Sequence, residues 1–381
     1  MYDLFSMVGE RVGSSANRIF AVHNAVVDDV FEIAMTRADF NRCMGQRFGD
    51  ESETHRERLG GGGINFALTA SSLGHPGAYF VGFMDRCAKC LAERIKKASD
   101  IRLPLVYSLT PQRRNSVVEL LDDNLLFHNR SSSSVDTGWL AARLRAFSPS
   151  GSDWLASMSF YESVTFQLLG ISRRFFLDSG YGVSKMNSGL MGRLLSEISG
   201  GDFSDFIIAA NQDEFGNLCR EFGLGRQDQM ENARALASLM SARAGMRIDL
   251  LLHEASFSTL VGPDAQGPQW VVPSLEVHVK RRTNAGDTFA GAFLAAYDAT
   301  GDPALSAFYA NAAAAKRLVD DELPNPANAA QFLRMARLRA VDIPGAKPLC
   351  IDELRERKIR ESSVYMRASP VSARPALQSA K

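Results

Sequence analysis

The sequence predicts an α/β fold in which a mostly parallel central sheet is covered by helices on both faces. Short segments that are almost entirely apolar, such as residues 206–210 and 248–252, alternate with helical segments such as the one near residues 190–198. Continuously apolar strands are typical of parallel sheets, because helices bury both faces of these sheets. The chain of 381 residues is long enough for one large domain with a small appendage.

The composition argues against several classes of function. Lys and Arg together number 43, and so do Asp and Glu, so no net charge attracts nucleic acid or an anionic membrane. No apolar run approaches the roughly 18 residues that a membrane helix needs, and the first residues do not resemble a secretion signal. We therefore expect a cytoplasmic protein, with neither nucleic acid nor a membrane as partner.

We predict three parts along the chain. Residues 1–18 are expected to be a polar lead-in, residues 19–342 a globular domain, and residues 343–381 a mobile extension rich in charge, Ser, Pro and Ala. Within the domain, residues 116–121 and 125–128 are expected to pair as a β-hairpin.

Cys87 and Cys90 form a Cys-x-x-Cys pattern, which suggests a metal or redox site. A structural zinc site needs a second pair of ligands at compatible spacing, and the sequence supplies no such Cys/His pair. The pattern also falls on a segment that is expected to be helical. A chance occurrence on a helix is the favoured interpretation.

The segment most informative about chemistry surrounds Asp287. Small residues, Asn284, Ala285 and Gly286, precede it and an apolar helix follows it. Backbone N–H groups at a helix N-terminus have no intrahelical partner, so this turn is suited to bind an anion. A carboxylate in the same turn could deprotonate a hydroxyl directed at that anion, which is what phosphoryl transfer to an alcohol requires. The alternative is that Asp287 only caps the helix, and spacing alone does not separate the two interpretations.

The segment 284–293 resembles the C-terminal signature of the ribokinase-like (PfkB) carbohydrate and nucleoside kinases, Asp-Thr-x-Gly-Ala-Gly-Asp followed by an apolar helix. Three further segments match family motifs in the same order. Residues 23–28 are similar to the first strand of the adenosine-kinase-type branch, residues 60–67 to the Gly-Gly-x-x-x-Asn segment, and residues 211–214 to Asn-x-x-Glu. The matches span about residues 19 to 320.

The resemblance implies a three-layer α/β/α ribokinase-like fold with a small β-sheet lid, formed by segments near residues 30–59 and 104–130. In this family the lid sheet often pairs with a second copy, so a homodimer through the lid is an expected mode of assembly. The implied activity is transfer of the γ-phosphoryl group of ATP, or another nucleoside triphosphate, to a hydroxyl of a nucleoside or sugar, with Mg²⁺ as cofactor.

The resemblance also implies a role for each matching residue. Asp287 would be the catalytic base, beside an anion-binding turn made of Asn284, Ala285 and Gly286. The residues expected to bind the acceptor are Asn24, Asp28, Gly61, Gly62 and Asn65. The residues expected to face the nucleotide are Asn211, Glu254, Ser256 and Thr283. Glu214, together with Asn211 through water, would organise Mg²⁺.

Departures from the family pattern lie mostly on the nucleotide side. The family's Asp-Thr is replaced by Arg281-Arg282, cations that either strengthen anion binding or are solvated surface charge. The first glycine of the signature is Asn284, a residue type that tolerates a left-handed backbone, so the turn is expected to survive. The Thr-x-Gly-x-x-Gly loop is replaced by residues 253–259, which lack both glycines and bring in Glu254.

These departures leave two alternatives to a sugar or nucleoside kinase. One is a catalytically inactive relative that binds a nucleoside, a sugar or a protein partner as a sensor or scaffold. The other is a kinase for a larger or already phosphorylated acceptor, gripped by Arg281 and Arg282 or by the basic tail.

Overall fold

The computed structural model describes residues 1–33, 36–39, 54–111, 114–120, 124–127, 136–160, 162–180, 189–225, 228–264, 269–280, 284–320 and 322–356. The strands within these ranges are β1 (Ile19–Glu32), β2 (Thr54–Gly60), β3 (Ala78–Met84), β4 (Leu105–Leu109), β5 (Arg114–Glu119), β6 (Asn124–Phe127), β7 (Trp154–Met158), β8 (Arg174–Asp178), β9 (Asp205–Ala210), β10 (Asp249–His253), β11 (Phe257–Val261), β12 (Gln269–Pro273), β13 (Leu275–Glu276), β14 (Arg337–Leu338) and β15 (Ala346–Pro348).

The helices are α1 (Tyr2–Gly13), α2 (Gly62–Ser72), α3 (Arg86–Ala98), α4 (Thr137–Ala146), α5 (Glu162–Leu168), α6 (Leu190–Ile198), α7 (Gln212–Glu221), α8 (Gln229–Ala244), α9 (Ala285–Thr300), α10 (Pro303–Asp320) and α11 (Pro326–Leu333). Cys87 and Cys90 both lie on α3, as expected. Among the described helices, none combines the length and the apolar character that a bilayer-spanning helix requires.

The central sheet has the strand order β15-β12-β11-β10-β9-β8-β7-β1-β3-β4. From β10 to β4 neighbouring strands run parallel, whereas β11 pairs antiparallel with both β10 and β12. Successive residues of a strand project to opposite faces of the sheet and pack in different hydrophobic cores. Phe176 packs in the core that contains Phe293, and Phe175 packs in the core that contains Leu194. The sheet therefore lies between two helical layers, which confirms the predicted α/β fold.

One long strand joins this sheet to the lid. Residues 19–25 of β1 pair with β3, and the continuation of the same strand pairs with β2 from residue 26 and with β5 from residue 27. Strands β5 and β6 pair antiparallel, which confirms the predicted hairpin. The lid is thus covalently continuous with the centre of the domain.

The lid differs from the expectation in one strand. Residues 105–109 were expected to belong to it, but they form β4, which pairs in parallel with β3 at the edge of the central sheet. Residues 40–53 of the expected lid lie outside the described residues.

The N-terminal segment is part of the core, in contrast to the expected polar lead-in. Helix α1 buries Leu4, Phe5, Val8 and Val12, which lie on one helical face. The ring of Phe5 stacks on that of Tyr309 in α10, with centroids 4.2 Å apart. Polar and charged residues between these positions concealed the helical period in the sequence.

The beginning of the expected mobile extension is also packed on the domain. Strand β15 pairs with β12, and Leu349 and Leu354 are buried. A three-residue strand held by backbone hydrogen bonds leaves little trace in composition, which is why the charged sequence around it suggested mobility. Residues 357–381 lie outside the described residues.

Phe5→Ala tests whether α1 is integral to the fold. The substitution removes a fully buried ring, so we expect the free energy of unfolding to fall by about 3–5 kcal/mol. Glu10→Ala, on the exposed face of the same helix, is the matched control and should change it by less than about 0.5 kcal/mol. Urea unfolding followed by circular dichroism measures both, and equal effects would contradict the assignment of α1 to the core.

Candidate active site

The glycine turn before α2 allows three parts of the chain to approach one another closely. Gly61 has φ 105°, and a Cβ added there would lie 2.1 Å from the carbonyl oxygen of Asn24. A Cβ added at Gly62 would lie 3.1 Å from Oδ1 of Asp287. Glycine is therefore required at position 61 both by the backbone conformation and by the contact with β1.

Asp28 lies where β1 leaves the central sheet for the lid. Its Oδ1 accepts a hydrogen bond from Nδ2 of Asn115 on β5, at 3.0 Å. A Cβ on Gly60 would lie 2.2 Å from the same carboxylate. Burial raises the pKa of Asp28, while Asn115 and Arg58 act in the opposite direction. The carboxylate is thus fixed beside the glycine turn, and Asn115, which the sequence analysis did not identify, holds it.

The turn before α9 has the expected backbone conformation. Asn284 adopts φ 66° and ψ 6°, in the left-handed region, and occupies the N-cap position without a side-chain capping bond. Helix α9 begins at Ala285, so Asp287 lies in its first turn and is not the N-cap residue. Asp287 is therefore not present at this position as the N-cap of the helix. Thr283, Arg281 and Arg282 lie outside the described residues.

The carboxylate of Asp287 lies beside Asn65 and Gly62 at the start of α2. Nδ2 of Asn65 donates a hydrogen bond to its Oδ2 at 3.5 Å. Burial raises the pKa of Asp287 to about 6; Asn65 and Arg317 lower it, and the charges of Asp28 and Glu214 raise it further. At neutral pH the group is mainly ionised, and it takes up a proton more readily than an ordinary carboxylate.

Asp178, which the sequence analysis did not assign to the site, adds a further carboxylate. It ends β8, and its pKa is raised well above the ordinary value by burial and by the charges of Glu214 and Asp287. The signal was present in the sequence, because functional groups in parallel sheets collect at the carboxyl ends of strands.

Asn211 and Glu214 form a capping box at the start of α7. Oδ1 of Asn211 accepts a hydrogen bond from the backbone N–H of Glu214 at 3.1 Å, and Oε2 of Glu214 accepts from the backbone N–H of Asn211 at 2.9 Å. Oγ of Ser179 also donates to Oε2 of Glu214, at 3.0 Å. Burial raises the pKa of Glu214. The Asn-x-x-Glu motif therefore has a structural role besides any role at the site.

A cavity of about 410 Å³ lies beside the turn before α9, and Asp28 is not among the residues that line it. Its lining residues are Asn211, His253, Glu254, Ala255, Ser274, Leu275, Val277, Val279, Ala285, Gly286, Phe289, Asn311, Ala314, Ala315, Leu318 and Arg339. The sequence analysis missed most of these residues, because they come from the segments around β13, α10 and β14 and carry no motif. Ser256 does not line the cavity; its carbonyl oxygen accepts a hydrogen bond from the N–H of Ser274 at 2.8 Å.

Two residues that line this cavity, His253 and Glu254, have shifted pKa values. The ring of His253 stacks on Phe289 with centroids 5.0 Å apart, and burial lowers the pKa of His253 to about 4, so its imidazole is neutral at pH 7. Glu254 accepts a hydrogen bond from the side chain of Gln229, and burial raises the pKa of Glu254. The lining of the cavity is mainly apolar, with a few polar groups.

No protein-family model matches this sequence, and no curated protein matches it. Solved structures are nevertheless similar over most of the chain. A ribokinase from Thermotoga maritima has a TM-score of 0.62 at 17% identity, with 84% of this chain and 99% of that chain covered. The ribokinase of Arabidopsis thaliana, solved with ribose and ATP, has a TM-score of 0.61 at 18% identity, with coverage of 84% and 99%. A nucleoside kinase from Burkholderia thailandensis, solved with inosine, has a TM-score of 0.59 at 16% identity, with coverage of 83% and 98%.

The chain therefore has the ribokinase-like fold, the fold of a class of sugar and nucleoside kinases. The three-layer architecture inferred from the four motifs is confirmed. Structural similarity at 16–18% sequence identity establishes the fold alone. The chemistry of the site therefore has to be argued from its own residues.

Two carboxylates of α9 are expected to affect stability in opposite directions. The folded-state pKa of Asp287 lies above the ordinary value of 3.8, so its ionisation destabilises the fold as pH rises through about 6. Burial alone would raise the pKa of Asp298, but hydrogen bonds from His75, Ser15 and Asn17 outweigh it and lower the pKa. Ionised Asp298 therefore stabilises the fold, and this contribution is lost as pH falls.

At pH 8 we expect Asp287→Asn to raise the free energy of unfolding by roughly 1–3 kcal/mol, because the cost of the buried charge disappears. Asp298→Asn, the matched variant on the same helix, should lower it. The gain from Asp287→Asn should vanish near pH 4, where the native carboxyl is protonated. Thermal unfolding at pH 4 and pH 8 tests this, and a loss of stability in Asp287→Asn at pH 8 would contradict it.

Proposed function

We propose that the protein is a Mg²⁺-dependent kinase that transfers the γ-phosphoryl group of a nucleoside triphosphate to a hydroxyl of a small sugar-like or nucleoside acceptor. The observation that carries this proposal is the position of Asp287. Its carboxylate, with a pKa of about 6, lies beside Gly62 in the first turn of α9, and Ala285 and Gly286 of the same turn line the 410 Å³ cavity. A general base works best when its pKa is close to the operating pH.

The acceptor occupies the Asp28 side of Asp287. Asp28 accepts hydrogen bonds from acceptor hydroxyls, and the absence of side chains at Gly61 and Gly62 lets the acceptor approach the backbone. Asn65, which donates to Asp287, orients the carboxylate towards the hydroxyl that reacts. Asp287 accepts the proton of this hydroxyl as the hydroxyl oxygen bonds to the γ-phosphorus. The bond from that phosphorus to the β–γ bridging oxygen breaks, and the nucleoside diphosphate leaves.

The phosphates occupy the turn that precedes α9. The backbone N–H groups of Ala285 and Gly286 lie at the N-terminus of a 16-residue helix, where they are free to bind anionic oxygens. Charge that develops on the transferred group is stabilised by these dipoles without reorganisation. Gly286 also lies against His253, since a Cβ added to it would be 3.8 Å from Cε1 of the imidazole.

The donor's base and ribose fit the adjoining cavity. A volume of about 410 Å³ lies within the usual range of small-molecule pockets, and its walls are largely apolar. The Arabidopsis thaliana ribokinase, of similar fold, was solved with ATP, which supports a nucleoside triphosphate donor. Neutral His253 can donate a hydrogen bond to a phosphate oxygen, and protonation of Glu254 would reduce its repulsion of the phosphates.

The residues present fit Mg²⁺. Asp178 and Glu214 both have raised pKa values, which a nearby divalent cation would reverse by favouring their ionised forms. The described residues contain no cluster of three or more potential metal ligands. This agrees with Mg²⁺, which uses one or two carboxylates together with water and substrate phosphates. Bound there, Mg²⁺ would neutralise charge on the phosphate oxygens.

A second candidate function, binding without catalysis, is favoured by the turn at residues 253–259. This turn lacks glycine, and it places Glu254 in the cavity where the family has a neutral phosphate-binding loop. A protein of this kind would bind the acceptor as a sensor or scaffold but would not bind Mg·ATP.

Phosphoryl transfer from ATP or GTP to a panel of sugars and nucleosides tests the main proposal. We expect Asp287→Asn to lower kcat by about 10²–10⁴-fold, because the base is lost while the acceptor and donor contacts remain. Asp202→Asn, an exposed carboxylate elsewhere, should retain wild-type turnover. For the wild type, kcat/KM should fall below about pH 6 as Asp287 becomes protonated. Turnover that survives Asp287→Asn would refute the assigned base.

Calorimetry with ATP, in the presence and absence of Mg²⁺, separates the two candidate functions. If the protein is a kinase, Mg·ATP binds, and Asp178→Asn and Glu214→Gln weaken that binding by about 10–100-fold. The same variants should not weaken metal-free ATP binding, because they remove negative charge near the phosphates. Asp213→Asn, an exposed neighbour in the same helix turn, is the control. Failure of the wild type to bind Mg·ATP, with acceptor present, would favour the scaffold.

A further inference from the structure

Arg58 is a buried arginine on the face of the lid that carries Asp28. In the register of the lid sheet, Arg58 on β2 lies directly opposite Asp28 on β1, and Asp28 lies opposite Asn115 on β5. Residues directly opposite one another on adjacent strands project to the same face of a sheet. Arg58 therefore borders the space in which Asp28 meets the acceptor.

The guanidinium of Arg58 is only partly satisfied. Its side chain is 8% exposed, and Nη1 donates a hydrogen bond to Oε1 of Glu119 at 3.1 Å. Both Nε and Nη2 are buried, and neither has a hydrogen-bond partner among the described residues. Buried charged donors without an acceptor are unfavourable, so an arrangement of this kind is expected where a ligand supplies the acceptor.

The two unpartnered donors define the chemistry of that ligand. Nε and Nη2 lie on the same edge of the guanidinium and present two parallel N–H groups, which match two oxygens of a carboxylate or phosphate. A hydroxyl or an amide carbonyl offers only one such oxygen. The edge of Arg58 is thus shaped for an oxyanion.

Glu119 orients Arg58 and only partly neutralises it. The same carboxylate accepts a hydrogen bond from Nη2 of Arg56 at 3.1 Å, and Arg56 also pairs with Glu32 at 3.0 Å. The charge of Glu119 is therefore shared between two guanidinium groups. Its contact with Nη1 fixes the side chain of Arg58, so that binding an anion costs little conformational entropy.

We infer that the acceptor carries an oxyanion, a phosphate or a carboxylate, that binds the Nε–Nη2 edge of Arg58. Because Arg58 and Asp28 lie opposite each other on adjacent strands, one small acceptor can contact both side chains. The acceptor class is thus a sugar phosphate or a sugar acid, in preference to a neutral sugar or nucleoside. That the acceptor carries a reacting hydroxyl rests on the proposed function. That it carries an anion rests on the unpartnered donors of Arg58.

Binding measured without a donor nucleotide tests this inference independently of kinase activity. Calorimetry compares ribose with ribose 5-phosphate, and glucose with glucose 6-phosphate and gluconate. We expect the wild type to bind at least one anionic member at least tenfold more tightly than its neutral partner. Arg58→Met should weaken that binding by roughly 30-fold and abolish the preference, and Arg58→Lys should recover part of it through charge alone.

Arg114→Met is the matched control. Arg114 lies on the same lid, but it pairs with Asp29 and Glu57, whose side chains project from the opposite face to that of Asp28. It should retain the wild-type preference. Circular dichroism and the unfolding midpoint establish that each variant is folded, and if Arg58→Met does not fold, Arg58→Lys carries the test by losing affinity for the anionic member only.

The outcomes distinguish a phosphate from a carboxylate as the bound anion, and they distinguish failure of this inference from failure of the proposed kinase activity. Preference for ribose 5-phosphate or glucose 6-phosphate identifies a phosphate, and preference for gluconate identifies a carboxylate; either supports the inference. Equal binding of the neutral and anionic members by the wild type overturns it, as does an equal loss for both members in Arg58→Met. If anion binding depends on Arg58 but no phosphoryl transfer occurs, the anionic ligand is supported and the proposed kinase activity is refuted. If phosphoryl groups are transferred to neutral acceptors alone, the kinase activity is supported and the anionic acceptor is refuted.

Discussion

The close packing of helix α2 against helix α9 and strand β1 is the constraint on which the rest of the site depends. A Cβ at Gly291 of α9 would lie 2.6 Å from the carbonyl oxygen of Phe66 in α2, and a Cβ at Gly61 would lie 2.1 Å from the carbonyl oxygen of Asn24 in β1. Glycine at these positions allows the backbones to meet. Because they meet, Asn65 reaches Asp287, and Asp28 lies beside the same turn.

This packing also concentrates negative charge. Asp28, Asp178, Glu214 and Asp287 all have raised pKa values, and burial is the largest cause in each. Such a cluster destabilises the fold, whereas Asp298, at the other end of α9, is stabilised by hydrogen bonds and has a lowered pKa. The same helix thus carries a carboxylate suited to hold the fold together and one suited to exchange a proton.

The lid depends on a different feature, the continuity of β1. Because one strand pairs with β3 in the central sheet and then with β2 and β5 in the lid, Asp28 stands at the junction of the two sheets. Arg58 and Asn115 are its neighbours across the lid strands. The groups that would recognise an acceptor are therefore placed by strand register, a property that a single sequence does not display.

Much of the central architecture could be predicted from the sequence, because apolar strands and their flanking helices have recognisable patterns over a few consecutive residues. The α6 prediction matched at both ends, and the left-handed conformation expected of Asn284 is present. Helix α1 and strand β15 could not be predicted, since short or interrupted apolar patterns become evident only when they pack. Asp178 could have been identified from its place at a strand end, but Arg58 and most residues of the cavity carry no motif.

By itself the sequence determined the alternation of strands and helices in the centre of the domain, the glycine turn and the position of Asp287 at a helix start. These features follow from periodicity and from residue types with restricted backbone conformations. Only the tertiary structure decided which carboxylates share one electrostatic environment, which residues line the cavity beside α9, and that Arg58 lies opposite Asp28 in the lid sheet. These properties depend on distances between segments far apart in the chain, and on burial, which changes a pKa only after the core has formed.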